Sequence, residues 1–425
     1  MTRHSQLAKA TDRMGSLSGS SPFDGGNLLS RLEIGGWQSA LERVEQAETR
    51  MVSTELVEFP DGEPDRWISG YRLKGIITAQ RGQPGTPAPG ALDGTSVVLS
   101  SEGRILERSK EYLLDEHWGG LGLSSSMTNP HTSVTASYKF GLRRLDSLAT
   151  GKDDCVVLVR GMSHLTTPLP PALDLGQKRL ANVYVPYGSP TGYGVLFPIR
   201  EGSASQPREV DGRRLRRAAE RVAAGLPLRV TCWGDSVTDG GDSSSDCSSY
   251  PAIVERNLKA AYRNSDVQVS VVAVGGSNSN HWLGGDTVGC DWSRVAESEP
   301  DVITVEFVND AELTTEDWNR NYVEIARRAE DLGADLVLST PHWVMPSWMR
   351  LSNEASDRRP YVSFIRLFAQ QHDVVLADVS QRWESLVDEG IPYETMLNNG
   401  INHPDDRGHA LAAAEFVESI RLGLK

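Results

Sequence analysis

The chain is 425 residues long with 39% hydrophobic content, enough to bury a substantial core and more than one typical domain holds, so two domains are expected. Its formal net charge of −14 disfavours nucleic acid or an anionic membrane as a partner, because either would call for a basic stripe. No apolar run approaches the roughly twenty residues of a membrane span, and the N-terminal stretch has no apolar core of signal-peptide length, which makes a cytoplasmic protein the simplest expectation.

Residues 1–30, rich in Ser, Gly and polar groups, are expected to be disordered or extended. From 31 to 205 the pattern changes to short apolar or alternating runs, STELVEF, YRLKGIIT, TSVVLSS, DCVVLVRG and ANVYVPYG, separated by Gly and Pro clusters. That spacing predicts a β-rich accessory domain of the sandwich or jelly-roll kind, with helical pieces at WQSALERVEQAETRM and SYKFGLRRLDSL. DGRRLRRAAERVAAG reads as a helix opening a second domain, 206–425, with the boundary near 203–210. There strand-like and helix-like segments alternate: LRVTCW, YPAIVERNLKAAY, VQVSVVAV, VITVEFV, EDWNRNYVEIARRAEDLG, ADLVLST, YVSFIRLFAQQH, VVLADV and a last helix, GHALAAAEFVESIRL. Such alternation implies an α/β domain, a parallel sheet covered by helices on both faces.

Chemistry-bearing residues fall at the ends of these strands. Gly234-Asp235-Ser236 directly follows LRVTCW, Gly276 lies in VGGSN, Asn309 lies in FVNDAE, and His403-Pro404 opens the last helical stretch. A buried strand that ends in a Gly-containing turn can hold a serine hydroxyl at the carboxyl edge of a sheet, where open α/β folds place their ligands. That hydroxyl is a poor nucleophile at neutral pH, so a base within hydrogen-bond reach must take its proton, and His403 is the best placed of nine histidines. The charge of a tetrahedral intermediate would meet the Ser236 and Gly276 backbone N–H groups and the Asn309 amide, donors worth about 3–4 kcal/mol each. Each piece alone is a common turn composition; their order along the chain makes the combination specific.

With these blocks the C-terminal half resembles the SGNH, or GDSL, hydrolase family, named for its serine, glycine, asparagine and histidine. The resemblance implies a flavodoxin-like three-layer α/β/α domain and an esterase. Its nucleophile falls on Ser236 in WGDSVTDG, its oxyanion glycine on Gly276 in VAVGGSNS, its asparagine on Asn309 in EFVNDAE and its histidine on His403 in NGINHPDDRGH. The second block lacks one usual glycine, and the third has Phe307-Val308 where a glycine-containing pair is common. The family's acid, an aspartate a few residues before the histidine, is missing, because the sequence there reads Asn398-Asn399-Gly400-Ile401-Asn402. Two readings follow. Asn399 orients the imidazole as a neutral acceptor, or His403 holds a backbone carbonyl and works with Ser236 as a dyad; the dyad is preferred. Asp405 and Asp406 are read as caps of the last helix.

Asn280, His281 and Trp282, and after the next strand His342 and Trp343, are candidate substrate contacts, with packing inside loop cores as the alternative. A β-domain ahead of such a hydrolase domain is loosely similar in layout to two-domain carbohydrate esterases. That layout implies an O-acyl, chiefly O-acetyl, small-molecule or oligosaccharide ester as substrate, leaves an oligomer open, and lets HWGGLGLSSS, with His117 and Trp118, close one side of the pocket. The rivals are glycoside cleavage by carboxylates drawn from Glu306, Asp310 and Glu312, and a non-catalytic carbohydrate-binding protein. No cofactor and no metal are implied. Cys155, Cys232, Cys247 and Cys290 show no ligand spacing and are read as reduced thiols, and DGGDSSSD at 239–246, lacking the final glutamate of an EF-hand, reads as a flexible pocket rim.

Overall fold

A computed structural model describes residues 37–59, 62–79, 85–124, 133–151, 155–200, 215–285, 287–350 and 356–425. The segment expected to be disordered, 1–30, and the expected boundary at 203–210 lie outside the described residues.

Upstream of residue 200 lie β1 (Thr49–Val57), β2 (Tyr71–Arg72), β3 (Leu92–Ser101), β4 (Arg104–Ile105), β5 (Tyr112–Asp115), β6 (Gly120–Leu123), β7 (Val134–Gly141), β8 (Arg143–Thr150), β9 (Val156–Val159), β10 (Ser163–His164), β11 (Arg179–Val185) and β12 (Val195–Pro198). They form three sheets, β1-β7-β3-β4, β2-β6-β5 and β10-β8-β11-β12 with β9 paired to β8. All their pairings are antiparallel. Along β7, Val134, Ala136 and Tyr138 are buried while Lys139 is exposed, the two-residue period of a strand with one face on a core.

One helical expectation fails here and another holds only in part. SYKFGLRRLDSL forms β7 and β8 instead of a helix, because polar residues that resemble a solvated helix face are inside. Arg144 and Asp146 form a buried ion pair at 2.7 Å, and Ser147 donates to Asn182 Oδ1 at 2.8 Å. Of WQSALERVEQAETRM only Trp37–Leu41 is helical, and the chain has already become extended at Thr49.

After residue 215 the architecture changes. β13 (Leu228–Gly234), β14 (Val267–Ala273), β15 (Val302–Glu306), β16 (Asp335–Ser339) and β17 (Val375–Ala377) pair in parallel in the order β14-β13-β15-β16-β17. Alternate residues of one strand serve opposite cores. Leu228, Val230 and Cys232 of β13 pack with the helices Arg216–Ala223, Tyr250–Ala261, Val379–Asp388 and Asp406–Gly423. Trp233 on the other face packs with Ser279–Gly284, Trp292–Glu297, Thr315–Leu332 and Pro360–Gln371. Both faces being covered is why these strands read as uninterrupted apolar runs, and each buried Val or Leu contributes roughly 1.5–3 kcal/mol. The helix Val379–Asp388 has no counterpart in the sequence reading. The expected three-layer α/β/α domain and the β-rich region before it are what the chain forms. The strand order reverses between β14 and β15 around β13, a switch point whose carboxyl-edge crevice is where such sheets bind ligands.

The two regions touch through the segment that leads to His403. Asn182 Nδ2 donates to the Gly390 carbonyl at 2.7 Å and Asn398 Nδ2 to the Ala79 carbonyl at 3.0 Å. A Cβ on Gly400, which has a left-handed φ of 70°, would lie 2.9 Å from Pro89. All four cysteines are free thiols.

Candidate active site

β13 ends where the chain must turn beneath the sheet edge. A Cβ at Gly234 would sit 2.1 Å from Thr238 Oγ1 and 2.2 Å from the Glu306 carbonyl oxygen, so only glycine fits. The backbone then winds tightly, with the N–H of Asp239 on the Asp235 carbonyl at 3.0 Å and the N–H of Gly241 on the Ser236 carbonyl at 2.8 Å. This turn leaves Ser236 half-buried at the edge. Val237 packs against Val308 and Val344, which ties it to the loops after β15 and β16.

His403 Nε2 lies 2.9 Å from Ser236 Oγ, and His403 Nδ1 lies 3.0 Å from Asp242 Oδ2. A carboxylate that accepts at Nδ1 keeps the proton there and leaves Nε2 as the acceptor for the serine hydroxyl. The side chain of Asp242 is buried, and its backbone takes a left-handed φ of 64°, which aspartate tolerates better than most residues. Gly241 permits the approach, since a Cβ there would lie 3.1 Å from the imidazole.

This geometry corrects both readings of the missing acid. The ring is not left to a dyad, because Asp242 from the loop at 239–246 holds it, and that loop is more than a flexible rim. Nor does Asn399 orient the ring. Its Oδ1 accepts the backbone N–H groups of Ile401 (2.8 Å), Asn402 (2.9 Å) and His403 (3.0 Å), and its Nδ2 donates to Asn402 Oδ1 at 3.1 Å. A short amide that satisfies three successive donors shapes the loop that carries the base. At the start of the last helix Asp405 caps the N–H groups of Arg407 and Gly408, as expected. Asp406 instead accepts the Ser244 N–H at 2.7 Å and clamps the loop of Asp242.

Two buried imidazoles complete the support. His409 Nε2 donates to the Gly241 carbonyl at 3.1 Å while Nδ1 accepts the Tyr250 N–H at 3.3 Å, and His342 Nε2 donates to the Asn402 carbonyl at 2.7 Å. Burial pushes their pKa values down, to about 4 for His409 and about 3 for His342, so both are neutral struts. His409 escaped the sequence reading; its place one helical turn past the Asp405 cap was the available signal.

For an oxyanion, the N–H groups of Ser236 and Gly276 have no hydrogen-bond acceptor among the described residues. Gly276 is exposed at a left-handed φ of 72°. Asn309 is differently placed from expectation. Its Nδ2 donates to Asp235 Oδ2 at 3.1 Å and to the Ser277 carbonyl at 3.0 Å, so meeting an oxyanion would require giving up one of these bonds. Beneath the edge lie Asp235, Glu306 and Asp310, all buried. Burial raises each of them, Asp235 to about 6 and Asp310 to about 7, against the hydrogen bonds each carboxylate receives, and Glu306 is driven well up by burial and by its neighbour Asp235. Asp310 accepts from Ser279 N–H and Tyr322 Oη, and Glu306 from Thr238 Oγ1, while Glu312 is exposed. Asp235, Glu306 and Asp310 are thus buried and bonded to the fold's own groups, which does not favour the carboxylate pair that glycoside cleavage calls for. Among the described residues no group of three or more His, Cys, Asp or Glu is placed to hold a metal ion.

Residues 232–411 match the family model of the GDSL-like lipase/acylhydrolase family, a span that contains Ser236, Asp242, Gly276, Asn309 and His403. The chain carries a GDSL-like lipase/acylhydrolase domain. No curated protein matches the sequence. Among solved structures, a two-domain esterase (CEX) active on acetylated mannans matches with 20% identity over 50% of this chain and 54% of its own, TM-score 0.40. An acetyl xylan esterase from Geobacillus stearothermophilus matches with 17% identity over 46% of this chain and 96% of its own, TM-score 0.38. A putative GDSL-like lipase from Parabacteroides merdae matches with 16% identity over 46% and 97%, TM-score 0.38. The match thus spans about half the length of the first of these structures.

Within the acylhydrolase domain the expected substrate contacts separate. Trp282 and Trp343 are fully buried, with Trp282 Nε1 bonded to Ser277 Oγ and Trp343 Nε1 to Ser380 Oγ, so the loop-core alternative holds for both. His342 is buried and serves the His403 loop rather than a ligand. Asn280 accepts from Arg320 and Asn321, and His281 closes a capping box with Asn278. These five side chains shape the loops around the site; strand-end position alone did not tell a pocket wall from a core.

Proposed function

We propose that this chain is a carboxylic ester hydrolase acting through an acyl-enzyme at Ser236. The observation that supports it is the Ser236–His403–Asp242 relay, with its 2.9 and 3.0 Å hydrogen bonds at the carboxyl edge of the sheet. In this reading Ser236 Oγ attacks the ester carbonyl carbon as His403 Nε2 takes its proton, and Asp242 stabilises the imidazolium. The carbonyl π electrons move to oxygen, where the Ser236 and Gly276 N–H groups would meet the charge. Collapse expels the alcohol with the proton from His403. Water, deprotonated by the same imidazole, then attacks the acyl-enzyme and releases the carboxylic acid and free Ser236.

The substrate in this reading is an O-acetylated carbohydrate. Small and polar groups border the nucleophile: a Cβ on Gly275 would already lie 3.7 Å from Ser236 Cβ, a Cβ on Gly241 would lie 2.7 Å from the Ser236 carbonyl oxygen, and the half-buried Asn309 bonds to the adjacent Asp235. Such a border suits a short acyl group on a hydroxyl-rich alcohol better than a long aliphatic chain. A serine-directed phosphonate should label Ser236, and the protein should hydrolyse 4-nitrophenyl acetate and release acetate from an acetylated oligosaccharide. Labelling of another residue, or hydrolysis of neither ester, would overturn the proposal.

A further inference from the structure

Three tryptophans from distant parts of the sequence meet beside the loop that carries His403. The rings of Trp67 and Trp118 are 4.8 Å apart, and those of Trp67 and Trp348 are 5.6 Å apart. Trp118 is the buried base of the group, packed with Met345 and Ile401. Ile401 stands two residues before His403, and its carbonyl accepts the Met345 N–H at 2.6 Å. The Trp348 N–H in turn donates to the Met345 carbonyl at 2.9 Å. Met349 packs on Val237, Val308 and Val344, the residues flanking Ser236, Asn309 and the loop itself. The cluster is therefore anchored to the neighbours of the nucleophile and of the base at once.

The outer rings are not core. Trp348 is 41% exposed, and Trp67 is half-buried. Trp67 rides on a turn held from several sides: the Asp65 carbonyl accepts the N–H groups of Ile68 and Ser69, and the Arg72 guanidinium clasps the Trp67 carbonyl. Arg66 takes a left-handed φ of 48° and lays its guanidinium 5.1 Å over the Trp67 ring. A non-glycine residue in that conformation, next to a half-buried aromatic on a braced turn, is the kind of local cost that functional surfaces retain.

We propose that the exposed Trp348 ring, braced by the half-buried Trp67, forms a subsite for a pyranose ring on the alcohol side of the ester, built jointly by the β-rich region and the acylhydrolase domain. The inference rests on the carbohydrate reading above and adds where the sugar binds. A pyranose presents an apolar face of C–H groups that packs on an aromatic ring, while hydroxyls at its edge find donors and acceptors in Arg66 and the exposed His117. Trp348 stands at the surface rather than inside a closed channel, which suits a polymer-borne sugar and not a fatty acyl chain.

The test compares wild type, Trp348→Ala and Trp348→Phe on 4-nitrophenyl acetate and on an acetylated xylo-oligosaccharide. Trp348→Ala should lower the ratio of kcat/KM for the oligosaccharide to that for the nitrophenyl ester by about threefold to tenfold, through KM, and Trp348→Phe should restore most of it. Trp348 is surface-exposed, so melting temperatures should stay close together. An unchanged ratio in Trp348→Ala would overturn the subsite while leaving the carbohydrate reading intact. A wild-type protein that cleaves the nitrophenyl ester but releases no acetate from the oligosaccharide would overturn the carbohydrate reading and the subsite with it.

Discussion

The edge of the parallel sheet and the two loops above it assemble the site by different means. Ser236 and Asn309 come directly off β13 and β15, which are neighbours in register with Gly234 opposite Glu306, so strand spacing of about 4.8 Å fixes their separation before any side chain contributes. Asp242 and His403 lie 161 positions apart on loops that the parallel sheet does not hold in place, although one isolated antiparallel bridge, Leu397 with Pro404, braces the His403 loop. Polar side chains do it instead: the buried His409 and the half-buried Asp406 pin the Asp242 loop, and the buried His342 and Asn399 pin the His403 loop. The comparison teaches that secondary structure supplies the nucleophile, whereas tertiary hydrogen bonds, each made at a desolvation cost, supply the relay.

The largest effects should come from removing the reacting groups themselves. Ser236→Ala and His403→Ala should each lower kcat on 4-nitrophenyl acetate by about 10⁴- to 10⁶-fold with little change in melting temperature, because neither side chain fills a core. Activity near wild type in either purified variant would break the account. Next comes the strut behind the acid. His409→Ala leaves the Gly241 carbonyl and the Tyr250 N–H without their partner, which should cost about 1–3 kcal/mol of stability and, by loosening Asp242, about 10²-fold in kcat. A variant that melts lower yet keeps full kcat would separate the fold from the relay. Asn399→Ala should cost similar stability but only about tenfold in kcat, since its bonds go to the loop backbone.

The smallest effect is a slope with pH. His409 and His342 stay neutral in the fold down to about 4 and about 3, while the unfolded chain's imidazoles take up protons near ~6.5. As pH falls from about 6.5 to about 4 the unfolded state binds protons that the fold refuses, so the stability at these sites is fully present above that window and drains away across it. Asp235 and Asp310 act in the opposite sense. Raised to about 6 and about 7, they favour the fold at low pH and lose that contribution as pH rises through those values. Melting curves of wild type and His409→Gln isolate one part: the variant should lose less stability between pH ~6.5 and ~4. An identical slope would mean that His409 is not held neutral.

How far the sequence carried follows the same division. Strands with both faces buried announced themselves as apolar runs, and Ser236 was readable because a glycine turn follows such a run. β7 and β8 were mistaken for a helix because Arg144, Asp146 and Ser147 look solvated in sequence but are paired inside the structure. Asp242 was missed because the acid was sought a few residues before His403. Its local signal was Gly240-Gly241, a pair that lets backbone approach a ring closely. Trp282, Trp343 and His342 share strand-end positions with real site residues, and only packing shows that they point inward.

Asp242, and not Asn399, is the side chain bonded to His403 Nδ1. Steady-state rates of Asp242→Asn on 4-nitrophenyl acetate test its role in the relay most directly, because the substitution keeps the side chain's size but removes the carboxylate that fixes the imidazole tautomer. The kcat should fall by about 10³- to 10⁴-fold, with the melting temperature within a few degrees of wild type. A kcat within about tenfold of wild type would contradict that role and return the site to a serine–histidine dyad.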